Sequence, residues 1–324
     1  MGLNIQQEFL KSRILVIGDI MLDHYVVGSV SRISPESPVP VLLRESEHYY
    51  LGGAGNVFSN VHSLGGHSDI LSVIGDDASG DIVIESVNSK SDLSILLKSS
   101  SRKTTCKSRY ICNSHQLLRV DDETCDDIDL ATVDSFIKKF RSIIDLYDCV
   151  IIEDYNKGLL TPDVIKQSIS IAKSRNKMVI VDPKIKNIEY YSGCTYLKPN
   201  FSEFCLMVDE KLDISNISHI VNKAREVLTA MSIEGILITL SDKGILYVDF
   251  TTYHHSPGYP INVSDVSGAG DTVTAMFALA TCTGLDIENS LALCNIAGSI
   301  ACSRIGAVSV NISDVIKNQY FKFR

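Results

Sequence analysis

The sequence predicts an α/β fold with a doubly wound, mostly parallel sheet and a small second β-sheet. Short apolar runs of strand length alternate with stretches of helical period, which is the pattern of βα units. The strand-like runs lie at 13–19, 70–74, 149–152, 178–181, 196–197, 235–239 and 245–248, and the clearest helical stretches at 129–143, 162–174 and 215–230. Two segments rich in β-branched and aromatic residues, at about 25–50 and 104–120, interrupt this alternation and predict the second sheet.

No internal repeat, low-complexity tract or linker divides the chain. Residues 1–324 are therefore expected to form a single domain that carries the small sheet as an insertion. Hydrophobic residues make up 45% of the sequence, enough for a full core.

The composition and charge of the chain disfavour several classes of binding partner. The net charge is -9 and the basic residues are scattered, which disfavours a nucleic-acid surface or an anionic membrane. The amino-terminal residues show no apolar segment of signal-peptide length, so a cytoplasmic protein is expected. Nine cysteines include no CxxC pair, and several lie in apolar runs, so neither a disulfide framework nor a structural metal is expected.

The first strand-like run ends in Gly18-Asp19, and Asp23 follows four residues later. Sites in open α/β sheets lie at the carboxyl ends of the strands. Asp23 is therefore a candidate acceptor for a sugar hydroxyl, whereas Asp19 is as easily explained as a residue that caps the turn.

The two β-rich segments predict a lid. Pro35, Pro38 and Pro40 exclude a helix in the first segment, and the second alternates as a hairpin around Asn113-Ser114. A cover of this kind excludes water from a transferable phosphoryl group. A contact between two copies of the chain is the alternative, and the two uses are compatible.

The segment Gly52-Gly53-Ala54-Gly55-Asn56 opens a predicted helix that runs to about residue 63. It resembles a dinucleotide-binding fingerprint only in part, because Phe58 stands where the third glycine belongs and no buried strand precedes it. Backbone groups and the Asn56 amide that meet a polyhydroxy substrate are the favoured interpretation.

Polar groups follow four successive predicted strands, at 153–158, 182–184, 198–203 and 239–244. Lys157 and Lys184 are suited to hold a substrate phosphate as point charges. Asn200 and Glu203, three residues apart at a helix start, are suited to organise hydrated Mg²⁺, although a carboxylate favoured by the helix dipole is the simpler account of Glu203.

The stretch 264–273 predicts a tight turn that opens a buried helix. The N–H groups of Gly268, Ala269 and Gly270 would point out of the first helical turn, where they can hold a phosphate. Asp271 beside them is suited to accept a proton from an attacking hydroxyl. A glycine-rich turn with an aspartate N-cap is the alternative interpretation.

The motifs together resemble the PfkB-type, ribokinase-like carbohydrate kinases over nearly the whole chain. The resemblance is carried by GDIMLD, LGGAGNV, HQLLRVDDE, VDPK, KPNFSEF and DVSGAGDTV, and SRISPESPVPV (31–41) with DYNKGLL (154–160) points to the branch that phosphorylates heptose 7-phosphate at its anomeric hydroxyl.

The resemblance implies a role for each motif. Asp271 would be the catalytic base and Gly268, Ala269 and Gly270 the anion hole, with ATP and Mg²⁺ as cofactors and a sugar phosphate as substrate. The implied sugar-binding residues are Asp23, Gly52, Gly53, Asn56, Arg119, Asp154, Lys157 and Lys184. The implied nucleotide-binding residues are Asn200, Ser202, Glu203, Thr239, Ser241, Gly244 and Asn295, with Glu203 holding Mg²⁺ through water. Asp265 and Ser267, with backbone near Gly306, would hold a monovalent cation such as K⁺, and the lid would form a homodimer.

The sequence departs from the family pattern at several positions. Gly55 replaces an alanine, Glu153 stands where a small residue is common, Lys198 replaces a threonine and Ser267 replaces another. A kinase for another sugar therefore remains an alternative, as does a sugar- or nucleotide-binding regulator without activity. Lys157, Lys184 and Arg119 favour a phosphorylated substrate but can also be surface charges. Bifunctional relatives add a nucleotidyltransferase with an HxGH motif, which is missing here, so that step is expected from another protein.

Overall fold

The structure is a computed structural model that describes residues 5–113, 115–304, 306–318 and 320. The predicted hairpin turn at Asn113-Ser114 lies partly outside these residues. The strands are β1 (Arg13–Gly18), β2 (Ile20–Ile33), β3 (Pro40–Gly53), β4 (His67–Gly75), β5 (Ile95–Ser99), β6 (Thr105–Cys112), β7 (His115–Asp122), β8 (Cys149–Glu153), β9 (Met178–Asp182), β10 (Tyr196–Leu197), β11 (Gly235–Thr239), β12 (Ile245–Asp249) and β13 (Tyr253–Ser256). The α-helices are α1 (Ile5–Phe9), α2 (Ala54–Ser63), α3 (Ala78–Asn88), α4 (Leu130–Ile143), α5 (Pro162–Ser174), α6 (Phe201–Met207), α7 (Ile217–Met231), α8 (Ala269–Cys282), α9 (Ile287–Cys302) and α10 (Ile312–Ile316).

The main sheet has nine strands in the order β13-β12-β11-β10-β9-β8-β1-β4-β5. All neighbours from β11 to β5 pair in parallel, and β12 and β13 add an antiparallel edge. The prediction of a mostly parallel sheet is confirmed, and each predicted run is a strand.

Helices cover both faces of this sheet. Val16 packs in a cluster with Phe58 of α2 and Phe277 of α8, and its neighbour Ile17 packs in a second cluster with Phe136 of α4 and others on the opposite face. Because side chains alternate across a strand, burial on both faces requires a continuous apolar run, as in β1. The doubly wound arrangement is confirmed.

The second sheet has the order β3-β2-β6-β7 and contains both predicted β-rich segments. β2 begins directly after β1 and pairs antiparallel with β3 and parallel with β6. Gly52 and Gly53 therefore end an antiparallel strand of this sheet. A dinucleotide fingerprint follows a buried parallel strand instead, which agrees with the interpretation favoured from the sequence.

Candidate active site

Helix α8 begins at a left-handed glycine. Gly268 is the residue before the first turn, with φ 75° and ψ 2°, and no side chain caps the helix. The left-handed conformation is favourable only for glycine, so the sequence Gly-Ala-Gly allows the helix to start here with its backbone open. Ala269 N–H makes only a long bond of 3.3 Å, to the Val266 carbonyl oxygen. The turn is suited to receive an anion.

Asp271 lies in the first turn of α8 and is only part of a wider buried network. The residue is 5% exposed. Asn56 Nδ2 donates to its Oδ2 at 2.7 Å, and the Tyr155 hydroxyl donates to its Oδ1 at 2.8 Å. Burial raises the pKa of Asp271, with Asp182 adding to the rise and the bonds from Asn56 and Tyr155 opposing it. The structure thus presents a buried carboxylate with raised basicity, and the aspartate N-cap interpretation is wrong because Gly268 occupies that position.

Two further carboxyl groups approach Asp271. Oxygens of Glu153, Asp182 and Asp271 all lie within 4.8 Å of one another at the ends of β8 and β9 and the start of α8. Lys198 Nζ lies 2.8 Å from Asp182 Oδ2. Burial, reinforced by the charges of Asp182 and Asp271, raises the pKa of Glu153 well above its ordinary value.

Asp19 shapes the loop that carries Tyr155. Its carboxylate accepts backbone N–H bonds from Tyr155 at 2.9 Å, Lys157 at 3.0 Å and Leu159 at 3.3 Å. Burial and the charge of Asp154 raise the pKa of Asp19 to about 6, against these three bonds. The simpler account, that Asp19 holds a turn, fits these contacts.

Asp23 lies on β2 of the second sheet. Arg109 of β6 donates to Asp23 Oδ1 at 2.6 Å, and both side chains are largely buried. A Cβ on Gly52 would lie 2.4 Å from Asp23 Oδ2, so glycine is needed for this contact. Arg109 was not identified from the sequence, because a lone arginine in an alternating strand has no local signal.

The other predicted sugar-end residues have different surroundings. Arg119 is 51% exposed on β7 and pairs with Asp121. Asp154 accepts bonds from Asn187 and the Tyr191 hydroxyl in the interior. Both oxygens of Asp154 are therefore engaged by protein groups, since Asn156 N–H also donates to it.

Three lysines lie around the Tyr155 loop. Lys184 Nζ lies 5.3 Å and Lys107 Nζ 6.0 Å from the centroid of the Tyr155 ring. Lys157 pairs with Glu123 at 2.7 Å, and Lys184 pairs with Glu203 at 2.8 Å. Burial and then the charge of Lys157 lower the pKa of Lys107. The ammonium groups of Lys107 and Lys157 repel each other. An anion bound by both lysines would therefore stabilise their charged forms.

A cavity of about 540 Å³ adjoins the α8 turn. It brings together four of the predicted nucleotide-binding residues with two residues of the turn, namely Thr239, Ser241, Gly244, Asn295, Ala269 and Gly270. The Asn295 amide is held by the backbone and hydroxyl of Ser256 at 2.9 and 2.7 Å. The cavity is of a size and polarity to hold a nucleotide.

The segment at α6 lies beside this cavity. Asn200 pairs with Thr239 in an isolated bridge, and Asn200 and Glu203 form a reciprocal capping box. Glu203 Oε1 accepts from Lys184 and Oε2 from the Asn200 N–H. Each carboxylate oxygen of Glu203 keeps a lone pair that can accept a hydrogen bond from a water ligand of Mg²⁺. Ser202 is exposed on the first turn of α6.

Asp265 joins two loops. Its Oδ1 accepts from Ser267 N–H at 2.9 Å and its Oδ2 from Gly306 N–H at 3.0 Å. Burial opposes ionisation of Asp265, but these bonds leave its pKa below the ordinary value. A carboxylate whose ionised form is favoured and which has loop backbone around it fits a monovalent cation.

Solved structures with a similar architecture include two sugar kinases. The structure is similar to phosphofructokinase-2 from Escherichia coli in complex with potassium, with a TM-score of 0.78, 18% identity and coverage of 94% of this chain and 97% of that one. It is also similar to Arabidopsis thaliana ribokinase complexed with ribose and ATP, with a TM-score of 0.72, 18% identity and coverage of 97% and 99%. These likenesses confirm a ribokinase-like fold.

The pfkB family of carbohydrate kinases matches residues 11–314, and the chain belongs to that family. Its class is therefore an ATP-dependent sugar kinase. The chain is 36% identical over 304 residues to the bifunctional protein HldE of Campylobacter fetus subsp. fetus, and 37% identical over 306 residues to that of Helicobacter hepaticus. These matches cover 93% and 94% of this chain but 65% and 63% of the relatives, so the chain spans somewhat less than two thirds of their length. Among the described residues, no helix is long and apolar enough to cross a membrane.

Proposed function

We propose that the protein transfers the γ-phosphoryl group of ATP to the anomeric hydroxyl of D-glycero-β-D-manno-heptose 7-phosphate, giving heptose 1,7-bisphosphate for ADP-heptose and lipopolysaccharide core biosynthesis. The observation that carries the proposal is the Tyr155 ring, whose hydroxyl binds Asp271 while Lys107 and Lys184 flank it. A phosphorylated sugar would reach the base and these ammonium groups together. The heptose branch is chosen because SRISPESPVPV and DYNKGLL resemble it.

The proposed reaction gives each group of the site a role. Asp271 takes the proton of the anomeric hydroxyl, whose oxygen then forms a bond to the γ-phosphorus. The bond from that phosphorus to the leaving oxygen of ADP breaks, and ADP leaves with the electron pair. Backbone N–H groups of Gly268, Ala269 and Gly270 would stabilise charge on the transferring group. Asp23, Gly52, Gly53 and Asn56 would hold the sugar hydroxyls.

Mg²⁺, when bound, would supply positive charge to the nucleotide phosphates. Glu203 and Asn200 would hold its water ligands. Thr239, Ser241, Gly244 and Asn295 would line the nucleotide site. A monovalent cation at Asp265, Ser267 and Gly306 is proposed to order the loop before α8.

A homodimer through the lid is part of the proposal. The edge strands β3 and β7 expose large apolar side chains, which include Leu43, Leu117, Leu118 and Val120. Exposed apolar side chains on sheet edges favour pairing with a second copy of the chain.

A substrate panel tests the proposed function. Heptose 7-phosphate, fructose 6-phosphate and unphosphorylated sugars are compared in one coupled ADP-release assay, and phosphorus NMR identifies the anomer of the product. Turnover is expected to be highest with heptose 7-phosphate. Asp271→Asn, which keeps the shape but removes the base, is expected to lower kcat roughly 10²–10⁴-fold while ATP still binds. A clear preference for another sugar would contradict the substrate, and near-normal turnover by Asp271→Asn would contradict the base.

A further inference from the structure

Lys198 is a buried cation beside the start of α8. Its residue is 3% exposed, and its Nζ forms the 2.8 Å ion pair with Asp182. A Cβ placed on Gly270 would lie 3.6 Å from Lys198 Nζ. The ammonium group is therefore next to the backbone of the turn that faces the nucleotide cavity.

The ammonium group stays charged in this position. Burial alone would lower the pKa of Lys198, but the charges of Asp182 and Glu153 outweigh burial and leave that pKa raised. The positive charge also acts on Cys294, which lines the nucleotide cavity. An ammonium group has three N–H donors, and the Asp182 contact uses one of them.

Glu153 belongs to the same group of buried carboxyl side chains as Asp182 and Asp271. Its residue is 0% exposed, and neither carboxyl oxygen has a hydrogen-bond partner within the part of the chain that the structure describes. A buried side chain with no partner is costly unless another role maintains it. Glu153 and Lys198 are also the two charged departures from the family pattern, and the fold brings them to one place from separate segments.

We propose that Lys198 is a further catalytic residue, whose ammonium group binds the phosphoryl group during its transfer, beside the N–H groups of the turn from Gly268 to Gly270. Asp182 is a positioning residue that holds the ammonium group under the turn, and the Glu153 carboxyl group lies within 4.8 Å of the Asp182 carboxylate. A lysine contributes a compact charge to phosphoryl transfer, and that charge acts strongly where water is excluded. This inference rests on the proposed kinase reaction but not on the identity of the sugar.

The test compares Lys198→Gln with the wild-type full chain. Gln keeps a hydrogen-bond donor and removes the charge. Two equilibrium affinities are measured by calorimetry without sugar: that of ATP with Mg²⁺, and that of ADP with Mg²⁺ and aluminium fluoride, which imitates the transferring phosphoryl group. The kcat is measured with whichever sugar of the panel is turned over. Lys223→Met, at a lysine on α7 whose side chain is 25% exposed, is the control.

Lys198→Gln is expected to lower kcat roughly 10²-fold and to weaken the aluminium fluoride complex by a similar factor, with ATP affinity within about threefold. The second variant, Asp182→Asn with Lys198→Gln, removes both charges of the ion pair and so limits the loss of stability. It is expected to recover the melting temperature but not kcat.

Three results would overturn the proposal: kcat of Lys198→Gln within threefold of wild type, equal loss of ATP and aluminium fluoride affinity, or recovery of kcat in the double variant. None depends on heptose 7-phosphate being the substrate, because the affinities are measured without sugar and kcat is measured with whichever sugar of the panel is turned over. Failure of the panel with heptose 7-phosphate would leave this test intact.

Discussion

Opposing influences set the pKa of Asp271, the proposed proton acceptor. Burial and the neighbouring Asp182 make its ionised form less favourable, while Asn56 and Tyr155 stabilise that form through hydrogen bonds. The net result is a raised pKa. A carboxylate of this kind is a stronger base than a solvated one.

The raised pKa predicts the acidic limb of the pH profile. Activity requires ionised Asp271, so kcat/KM is expected to fall as pH drops through a value above 3.8, the ordinary pKa of an aspartate. Lys198 lowers the pKa of Asp271, whereas Asp182 raises it, and Glu153 and Tyr155 also face this carboxyl group. In Lys198→Gln the limb is therefore expected to move to higher pH.

The measurement is kcat/KM from pH 4 to 8, with circular dichroism at each pH to show that the protein remains folded. No fall in kcat/KM down to pH 4 in the wild type, or an unchanged limb in Lys198→Gln, would contradict this account of the base.

The sequence singled out Asp271 as the proposed base but not the residues that contact it. Asp271 has a local signal, because a glycine-rich turn and an aspartate lie together in ten residues. Tyr155 and Arg109 lack such a signal, since each contacts its carboxylate only when the fold brings a distant segment of the chain beside it. The same reason explains why Glu153 and Lys198 were noted separately and not as neighbours.

At the scale of elements, helix α8 is positioned by its apolar sequence and by the glycine that starts it. Residues 271–280 are all buried. The helix packs against α2 and α9, and this packing places the first turn beside Asn56. The location of α8 was predictable because small apolar residues without proline favour a buried helix. The antiparallel edge strand β13 was not predicted because its four residues carry little periodicity.

Gly268→Ala tests this start. A Cβ there would lie 2.4 Å from Asn56 Nδ2, and the left-handed φ of 75° disfavours alanine. The displaced Asn56 would release Asp271, so kcat is expected to fall at least 10-fold. Gly284→Ala is the matched control, because Gly284 has φ 69° but its Cβ would meet nothing within 4 Å.

Both variants are assayed for kcat and for thermal unfolding. The melting temperatures of Gly268→Ala and Gly284→Ala are expected to fall by similar amounts. Only Gly268→Ala is expected to lose kcat. Equal activity in the two variants would show that the contact between Gly268 and Asn56 does not matter for turnover.

For the whole molecule, the site lies between two sheets that contribute different chemistry. The carboxyl ends of β8 and β9 supply Glu153 and Asp182, and β2 and β6 of the second sheet supply Asp23, Lys107 and Arg109. Under the proposed function, such a division separates the groups for phosphoryl transfer from the groups for sugar binding. Movement of the second sheet would change access to the sugar without disturbing the base.

Leu118→Asp tests whether the second sheet also joins two copies of the chain. Leu118 is 56% exposed on the edge strand β7, and a charge at the centre of a sheet-edge contact would be buried without a partner. Wild-type protein is expected to be a dimer by size-exclusion chromatography with light scattering, and Leu118→Asp a monomer. Leu130→Asp on α4, 75% exposed and outside the second sheet, is the control and should remain a dimer. A monomeric wild type would show that no such contact forms, and a dimer in Leu118→Asp would place the contact elsewhere. Because the proposed base lies on α8, kcat of the monomer is expected to stay within a fewfold of wild type.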